Sequence, residues 1–431
     1  MQELKNKIAK KCATVGIIGM GYVGLSLALD ACGEGYNVVG IDIDSNKINA
    51  INSGVSHINY IDSSRVKTYV DSCKLRAMTD YSAIYECDII CICVPTPLDE
   101  NSKPDISFIE KSAESIAKNL KKNTLVILES TTYPGTTEDV LLPILRGTEF
   151  AVGKNLFMAF SPERVDPGNT KFTSANTTKV VGGVTPACGE LAADFYAIIN
   201  KGGVHKVSSP KVAEMEKLLE NTFRNVNIAL ANEMAQICHK MGVNVWEVVD
   251  AAATKPYGFM AFYPGPGLGG HCIPIDPYYL ASKAKEYGAN PQLIDLACEV
   301  NRTMPKFCTQ RIVAILKDKN IDLKSANIFA LGAAYKPNVD DVRESPALEI
   351  TKNLAQMGAK ISYNDPFVPK ICELNLQSVE ITKESLQNAD LVLILTNHSE
   401  YKADFIAQNS KLIFDARNLL KDYDGENIIR L

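Results

Sequence analysis

Hydrophobic positions along this chain follow two rhythms. Short apolar runs at 14–18, 37–42, 88–94, 124–128 and 156–160 contain β-branched residues and end in glycine or polar turns, so each predicts a strand. Between the first two, Leu25-Ser26-Leu27-Ala28-Leu29 opens a helix that Gly35 closes. Strands alternating with helices predict a parallel sheet covered on both faces. From Ser209 the rhythm becomes helical. Ser209-Pro210 supplies a capping hydroxyl and then a proline in the first turn, and the pattern runs to about Gly242, with more helix at 246–253 and 277–317. The strand rhythm returns at 328–332. A helix from Ser345-Pro346 to Gly358 and strands at 360–364, 391–395 and 412–414 complete the chain. The expected fold class is α/β, then helical, then α/β, with divisions at 1–208, 209–320 and 321–431.

Composition changes this picture little. At 431 residues, 46% hydrophobic and 22% charged, the chain can bury large cores, and disorder, collagen and coiled coil are excluded. A net charge of -5 with no basic stripe argues against a nucleic-acid partner. No apolar run approaches the ~20 residues that span a bilayer, so no membrane partner is expected. The basic opening MQELKNKIAKK imitates part of a signal peptide, but the glycine-broken TVGIIGMGYVG after it has no small-residue cleavage site. Twelve cysteines are too sparse for a disulfide scaffold, which points to a reducing, cytoplasmic location.

Candidate chemistry collects where strands end. Gly19-Met20-Gly21-Tyr22-Val23-Gly24 follows a strand and opens a helix. In that setting Gly19 permits the tight turn, Gly21 the approach of a pyrophosphate, and Gly24 close packing of helix on strand. Asp42 ends the next strand, where a carboxylate binds a ribose and repels a 2′-phosphate, so NAD is the expected cofactor. Lys47 either reaches the adenosine end or is a solvated lysine. Cys91 and Cys93 read as buried strand residues rather than metal ligands. Thr96, in Pro95-Thr96-Pro97, and the hydroxyls of 129–137 lie at the edge where open sheets bind ligands, although serine and threonine also cap helices. Glu163 and Arg164 follow another strand, as a site pair or as an ion pair on a loop.

Lys217, Asn221 and Arg224 share one helix face, solvated unless it borders the cofactor cleft, while Leu218, Leu219, Val226 and Leu230 supply apolar positions elsewhere. The glycine-dense run 265–270 leads through His271 to Cys272, just before a helix, where a thiol becomes a nucleophile candidate. A last motif, Tyr335 to Pro346, brings Lys336 and Arg343 to a strand–helix junction suited to phosphate.

These motifs together resemble the UDP-glucose/GDP-mannose dehydrogenase family along essentially the whole chain. The matching segments are GxGYVGL at 19–25, ESTTYPGTT at 129–137, SPER at 161–164, KxxEN at 217–221, GGHCIPIDP at 269–277 and YKPNVDDVRESP at 335–346. The context FYPGPGLGGHCIPIDP is most similar to the UDP-N-acetylhexosamine 6-dehydrogenases, and among them to the UDP-N-acetylglucosamine enzymes. Pro162-Glu163-Arg164 and Pro167 stand where UDP-glucose members carry PEF and a downstream acid. The resemblance implies two Rossmann-like domains joined by a long central helix, with a helical domain that forms a homodimer or higher oligomer.

It also implies roles. Cys272 would carry the thiohemiacetal and thioester, Lys217 and Asn221 would stabilise the oxyanion, Asp276 and Thr132 would place a water, and Glu163 would serve as acid/base. Arg164, Val165, Lys217, Asn221, Arg224, Gly269, Tyr335, Lys336 and Arg417 would contact the UDP-sugar. Tyr22, Val23, Asp42, Lys47, Thr96, Thr132 and Arg343, with the glycines of the first turn, would contact NAD. A one-hydride hydroxyacid dehydrogenase would need neither Cys272 nor the second α/β domain. A non-catalytic nucleotide-sugar binder could lose the Lys217–Cys272 constellation.

Overall fold

The computed structural model describes residues 1–59, 61–99, 104–164, 171–270 and 272–431. Two compact units emerge: Met1–Glu220 with Tyr278–Ala289, and Asn221–Pro277 with Asn290–Leu431.

The first unit is built on eight strands: β1 (Thr14–Ile18), β2 (Asn37–Ile41), β3 (Leu75–Met78), β4 (Ile89–Ile92), β5 (Thr124–Leu128), β6 (Leu156–Phe160), β7 (Lys179–Gly183) and β8 (Val204–Val207). Their order is β3-β2-β1-β4-β5-β6-β7-β8. Six run parallel. β7 pairs antiparallel to β6 and parallel to β8, so the sheet is mixed where sequence predicted it parallel throughout. Strands β3, β7 and β8 were not expected. β8 is partly exposed and carries His205 and Lys206, so it lacks the apolar run of a central strand.

Alternation along the strands fills two cores, one on each face. Val15, Ile17, Cys91, Ile127 and Phe157 serve one, and Ile18, Ile90, Ile92, Val126 and Met158 the other. The basic opening folds as helix α1 (Gln2–Ala9), with Leu4 and Ile8 buried one turn apart. Helix α2 (Tyr22–Gly33) starts three residues before the expected Leu25 and so takes Gly24 into its first turn. Helix α3 (Pro186–Ile199) packs on the sheet through Leu191, Phe195 and Tyr196.

Helix α4 (Pro210–Met241) confirms the long helix, and Ser209 Oγ accepts from Val212 N at 3.4 Å as its cap. The division between the units falls within it, at Glu220/Asn221. Its polarity departs from expectation in part, although Leu218 is buried and Arg224 exposed as expected. Lys217 and Asn221 are buried, whereas Leu219 is 63% and Leu230 57% exposed. Helix α5 (Val245–Ala253) follows as expected. The single helix expected over 277–317 is two, α6 (Asp276–Glu286) and α7 (Gln292–Asp318), interrupted where Gly288 takes φ +76° and Pro291 follows.

The second unit holds β9 (Asn327–Leu331), β10 (Lys360–Asn364), a small hairpin β11 (Lys370–Ile371) and β12 (Leu376–Gln377), then β13 (Leu391–Ile394), β14 (Ile413–Asp415) and β15 (Ile428–Arg430). The main sheet runs β10-β9-β13-β14-β15, all parallel, and α8 (Pro346–Gln356) lies on it. Ser345 stands before α8, but its hydroxyl donates to Ala333 O at 2.7 Å rather than capping the helix. Among the described residues no helix is long and apolar enough to cross a membrane.

Candidate active site

The turn between β1 and α2 has the geometry of a phosphate cradle. Gly19 adopts φ +91°, and a Cβ there would lie 2.5 Å from Cys93 O. A Cβ on Gly24 would lie 1.9 Å from Gly19 O. A Cβ on Gly21 would meet nothing within 4 Å. Two glycines are therefore required by packing, and the third keeps a surface open at the N-terminus of α2, as a pyrophosphate needs. Asp42 immediately follows β2 and is 7% exposed. Its carboxylate accepts from Met20 N (2.8 Å) and Asp44 N (2.9 Å), and Lys47 Nζ is 3.4 Å away. The acid is thus fixed beside the glycine turn, and Lys47 is its partner rather than a free surface charge. These residues fit a dinucleotide with an unphosphorylated ribose, and bound NAD would supply the hydride acceptor.

The neighbouring strand ends are also ordered. Thr96 O and Pro97 O accept from the Tyr279 hydroxyl at 2.9 and 3.1 Å. Thr132 is buried, with Oγ1 2.7 Å from Thr136 Oγ1. Glu214 of α4 holds that loop, accepting from Gly135 N and from Thr137 N and Oγ1 (2.9 and 2.7 Å). Burial pushes the Glu214 carboxyl above its ordinary value despite those donors. The Glu163–Arg164 segment is not one ion pair. Glu163 faces Lys179 at 3.4 Å, while Arg164 pairs with Glu220 and, at 3.5 Å, with Glu216. Burial, then its hydrogen bond to Glu220, raises Glu216 to about 7. Val165 lies outside the described residues, as does His271.

In the second unit α4 grips the segment that carries Cys272. The Asn221 amide donates to Asp276 Oδ2, and Asn225 Nδ2 donates to Ile273 O at 3.2 Å. Asn232 accepts from Gly265 N at 2.9 Å, and Asn301 of α7 bridges the ladder, donating to Asn225 O (3.0 Å) and accepting from Asn232 (2.9 Å). All four asparagines are buried. The glycine-rich loop is therefore pinned at its beginning and at its end. Cys272, half-buried, closes a turn in which its carbonyl accepts from Ile275 N and Asp276 N (3.0 and 2.8 Å), four residues before α6 begins. By contrast Cys91 and Cys93 are core residues whose thiols burial pushes far up. Arg224, on the same row as Lys217 and Asn221, is exposed.

The last motif closes over the glycine loop. Gly270 N donates to Arg343 O at 2.9 Å, and a Cβ on Gly269 would lie 2.5 Å from Tyr335 Cβ. Arg417 Nε donates to Leu395 O (2.9 Å), and its Nη1 would lie 2.7 Å from a Cβ on Gly265. Lys336 Nζ stands 5.8 Å from the Tyr335 ring centroid. Arg343 is exposed and forks onto Asp341, with Nη2 at 2.6 Å from Oδ2. Gly269, Tyr335, Arg343 and Arg417 therefore gather around one loop.

Sequence reasoning passed over the residues that hold this machinery. Asn225 and Asn232 continue the Lys217–Asn221 row at helical spacing, so a signal was present. Lys179 and Glu214 gave none, because nothing local marks a lysine opening a strand or a glutamate in a helix as buried.

Three family models match: the NAD binding domain of the UDP-glucose/GDP-mannose dehydrogenase family over residues 13–200, its central domain over 211–303 and its UDP binding domain over 329–422. The UDP-N-acetyl-D-mannosamine dehydrogenase of Pyrococcus horikoshii is 37% identical over 95% of this chain and 96% of its own. The UDP-N-acetyl-D-glucosamine 6-dehydrogenase of Pseudomonas aeruginosa is 35% identical over 95% and 96%. A solved structure of the UDP-D-ManNAc dehydrogenase from P. horikoshii superposes with TM-score 0.88 at 35% identity, covering 97% of this chain and 98% of that one. With all three domains matched in order, and with a glycine cradle and ribose acid that fit NAD, the chain belongs to the UDP-glucose/GDP-mannose dehydrogenase family of nucleotide-sugar oxidoreductases.

Proposed function

We propose that the protein oxidises the C6 hydroxyl of a UDP-N-acetylhexosamine, UDP-N-acetylglucosamine foremost, to the 6-carboxylate. The observation that carries this reading is the pinned loop: Cys272 is half-buried at its end, and its carbonyl accepts from the N–H of Asp276, the residue whose carboxylate takes the Asn221 amide of α4. One sugar consumes two NAD and one water and yields two NADH and three protons. Removing one hydride and the hydroxyl proton gives an aldehyde. The Cys272 thiolate adds to its carbonyl carbon, and the tetrahedral oxyanion, stabilised by Lys217 and Asn221, collapses to a thioester as the second hydride leaves. Thr132 and Asp276 place the water, and Glu163 takes its proton as the C–S bond breaks. In the same reading Arg164, Val165, Arg224, Gly269, Tyr335, Lys336 and Arg417 bind the UDP-sugar, and Tyr22, Val23, Asp42, Lys47, Thr96 and Arg343 bind NAD. The working division is 1–208 for NAD, 209–320 for the helical domain and 321–431 for UDP, in a cytoplasmic enzyme.

UDP-N-acetylmannosamine is the second reading, favoured by the 37% relative that carries that name. Assembly as a homodimer is supported by α4, whose exposed Val212, Met215, Leu219, Phe223, Leu230, Ile237 and Met241 form an apolar stripe of near-heptad spacing. The test is a panel of UDP-N-acetylglucosamine, -mannosamine, -galactosamine and UDP-glucose, scored for NADH per sugar in the wild type and Cys272→Ala. Two NADH from an N-acetylhexosamine, lost in the variant, is the expected result. One NADH per sugar, or unchanged stoichiometry in Cys272→Ala, sinks the mechanism.

A further inference from the structure

Lys179, the first residue of β7, is buried, yet its ammonium faces two carboxylates. Nζ lies 2.7 Å from Glu129 Oε2, 3.2 Å from Pro162 O and 3.4 Å from Glu163 Oε2. Those three acceptors match the three hydrogens of an ammonium. Two of them belong to consecutive residues, so the lysine holds both the backbone leading into Glu163 and its side chain. The other oxygen of Glu163 accepts from Arg164 N at 2.7 Å.

The far side of the ammonium is anchored more tightly. Glu129, at the end of β5, has a fully buried side chain, and its second oxygen accepts from the Tyr196 hydroxyl at 2.5 Å. The Tyr196 ring lies 5.1 Å from Nζ, a cation–π contact. An ion pair serving only to join strands needs one carboxylate, and Glu129 already supplies it. Glu163 is the surplus acid, and it is the more exposed of the two, with 13% of its side chain accessible against none for Glu129.

We propose that Lys179, anchored by Glu129 and Tyr196, is a positioning residue that aims Glu163 and keeps it a carboxylate until it receives the proton of the hydrolytic water. The inference rests on the reading of Glu163 as the acid/base. Among the described residues, Arg164 on the same loop, Asp30 on α2, and Cys91 and Cys93 on or next to β4 also act on this cluster, and Glu216 and Glu220 of α4 reach it through their pairing with Arg164. Burial alone would push Lys179 down, but Glu129 and Glu163 outweigh it and push it up, so the ammonium persists throughout the working range.

The two sides of the lysine give opposite expectations. In Lys179→Met the cation beside Glu163 is lost, so the acid limb of the kcat–pH profile moves to higher pH by about one unit. At neutral pH kcat falls about tenfold or more with KM for the UDP-sugar nearly unchanged, and intact-mass spectrometry shows the sugar thioester accumulating. In Glu129→Gln a competing anion is lost while the hydrogen bond from Tyr196 remains possible, so the acid limb moves to lower pH. The full-length enzyme is assayed with the UDP-N-acetylhexosamine that the panel selects, with Glu163→Gln alongside. If Lys179→Met does not fold, the downward displacement in Glu129→Gln carries the test. A slow Glu163→Gln with an unmoved acid limb in the Lys179 and Glu129 variants overturns the inference alone. A Glu163→Gln enzyme with wild-type turnover overturns the role of Glu163 and the inference with it.

Discussion

The two main sheets carry the same device at their first turn and use it differently. In the first, Gly19 takes φ +91° against Cys93, and Asp42 follows the second strand. In the second, Gly332 takes φ +95° against Thr396, and Asp365 follows β10. Even the backbone bonds correspond: Gly19 N donates to Ile41 O and Gly332 N to Asn364 O, both at 2.8 Å. Past that glycine the two turns diverge. Gly21 opens on empty space, whereas Ala334, two residues past its own glycine, is fully buried. Asp42 accepts two backbone N–H groups and has Lys47 beside it. Asp365 accepts from Ala333, Ala334, Phe367 and Val368 N at 2.7–3.0 Å and faces His398 Nε2 at 3.0 Å. The first acid keeps capacity for a ligand, and the second is used up inside the fold. One βαβ geometry thus serves once with an acid left open to a ligand and once as a structural brace.

The sharpest way to break the comparison is to delete each acid. Asp365→Ala strands four backbone donors and His398 in the interior, so a loss of about 3–5 kcal/mol is expected by chemical denaturation. Asp42→Ala strands fewer and should cost about 1–2 kcal/mol. Equal losses would mean that both acids are braces. The functional counterpart uses the cofactor. Asp42→Ala should narrow the preference in kcat/KM for NAD over NADP by about tenfold or more, because a 2′-phosphate would no longer meet a fixed carboxylate. An unchanged ratio would remove Asp42 from the ribose site.

Glycine sharpens the contrast at smaller scale. Gly21→Ala adds a methyl that meets nothing within 4 Å, so Tm should stay near wild type. The methyl occupies the approach to the pyrophosphate, and KM for NAD should rise by roughly tenfold. Ala334→Gly in the second turn should leave KM for NAD unchanged. A Gly21→Ala protein that melts early would show that the open space is not open.

Most of this contrast was legible only in part. The glycine turn at 19–24 and Asp42 announce themselves because three glycines and an acid must stand at fixed spacing. The second turn has one glycine, Gly332, followed by alanines, and nothing in Asn364-Asp365-Pro366 marks that acid as saturated. Strands β1, β2 and β9 beside these turns are legible because buried parallel strands are continuous apolar runs. β7 and β8 are not, since the lysine that opens β7 and the exposed polar residues of β8 carry no period. The polar row on α4 was legible as a row. The burial of Lys217 and Asn221 within it was not, because helical periodicity says which residues share a face and not which face is covered. Lys179 shows the same limit: its partners Glu129 and Glu163 lie 50 and 16 residues away in sequence.

The smallest effect comes from acid. Burial pushes the Asp365 carboxyl up, but the hydrogen bonds from His398, Ala333 and Ala334 outweigh burial and hold it below its ordinary value. The unfolded carboxyl titrates near ~3.9. A carboxyl lowered by folding adds stability that is fully present above the unfolded value and is lost as pH falls through the folded one. Asp365→Asn keeps one oxygen for the backbone donors and removes the charge. The stability gap between wild type and Asp365→Asn should therefore be widest near neutral pH and shrink on acidification below about pH 4. Denaturant midpoints measured from pH 7 to pH 3 read this directly. A gap that stays constant across the range would mean that Asp365 braces its turn through hydrogen bonds alone, and that its charge contributes nothing to the difference between the two sheets.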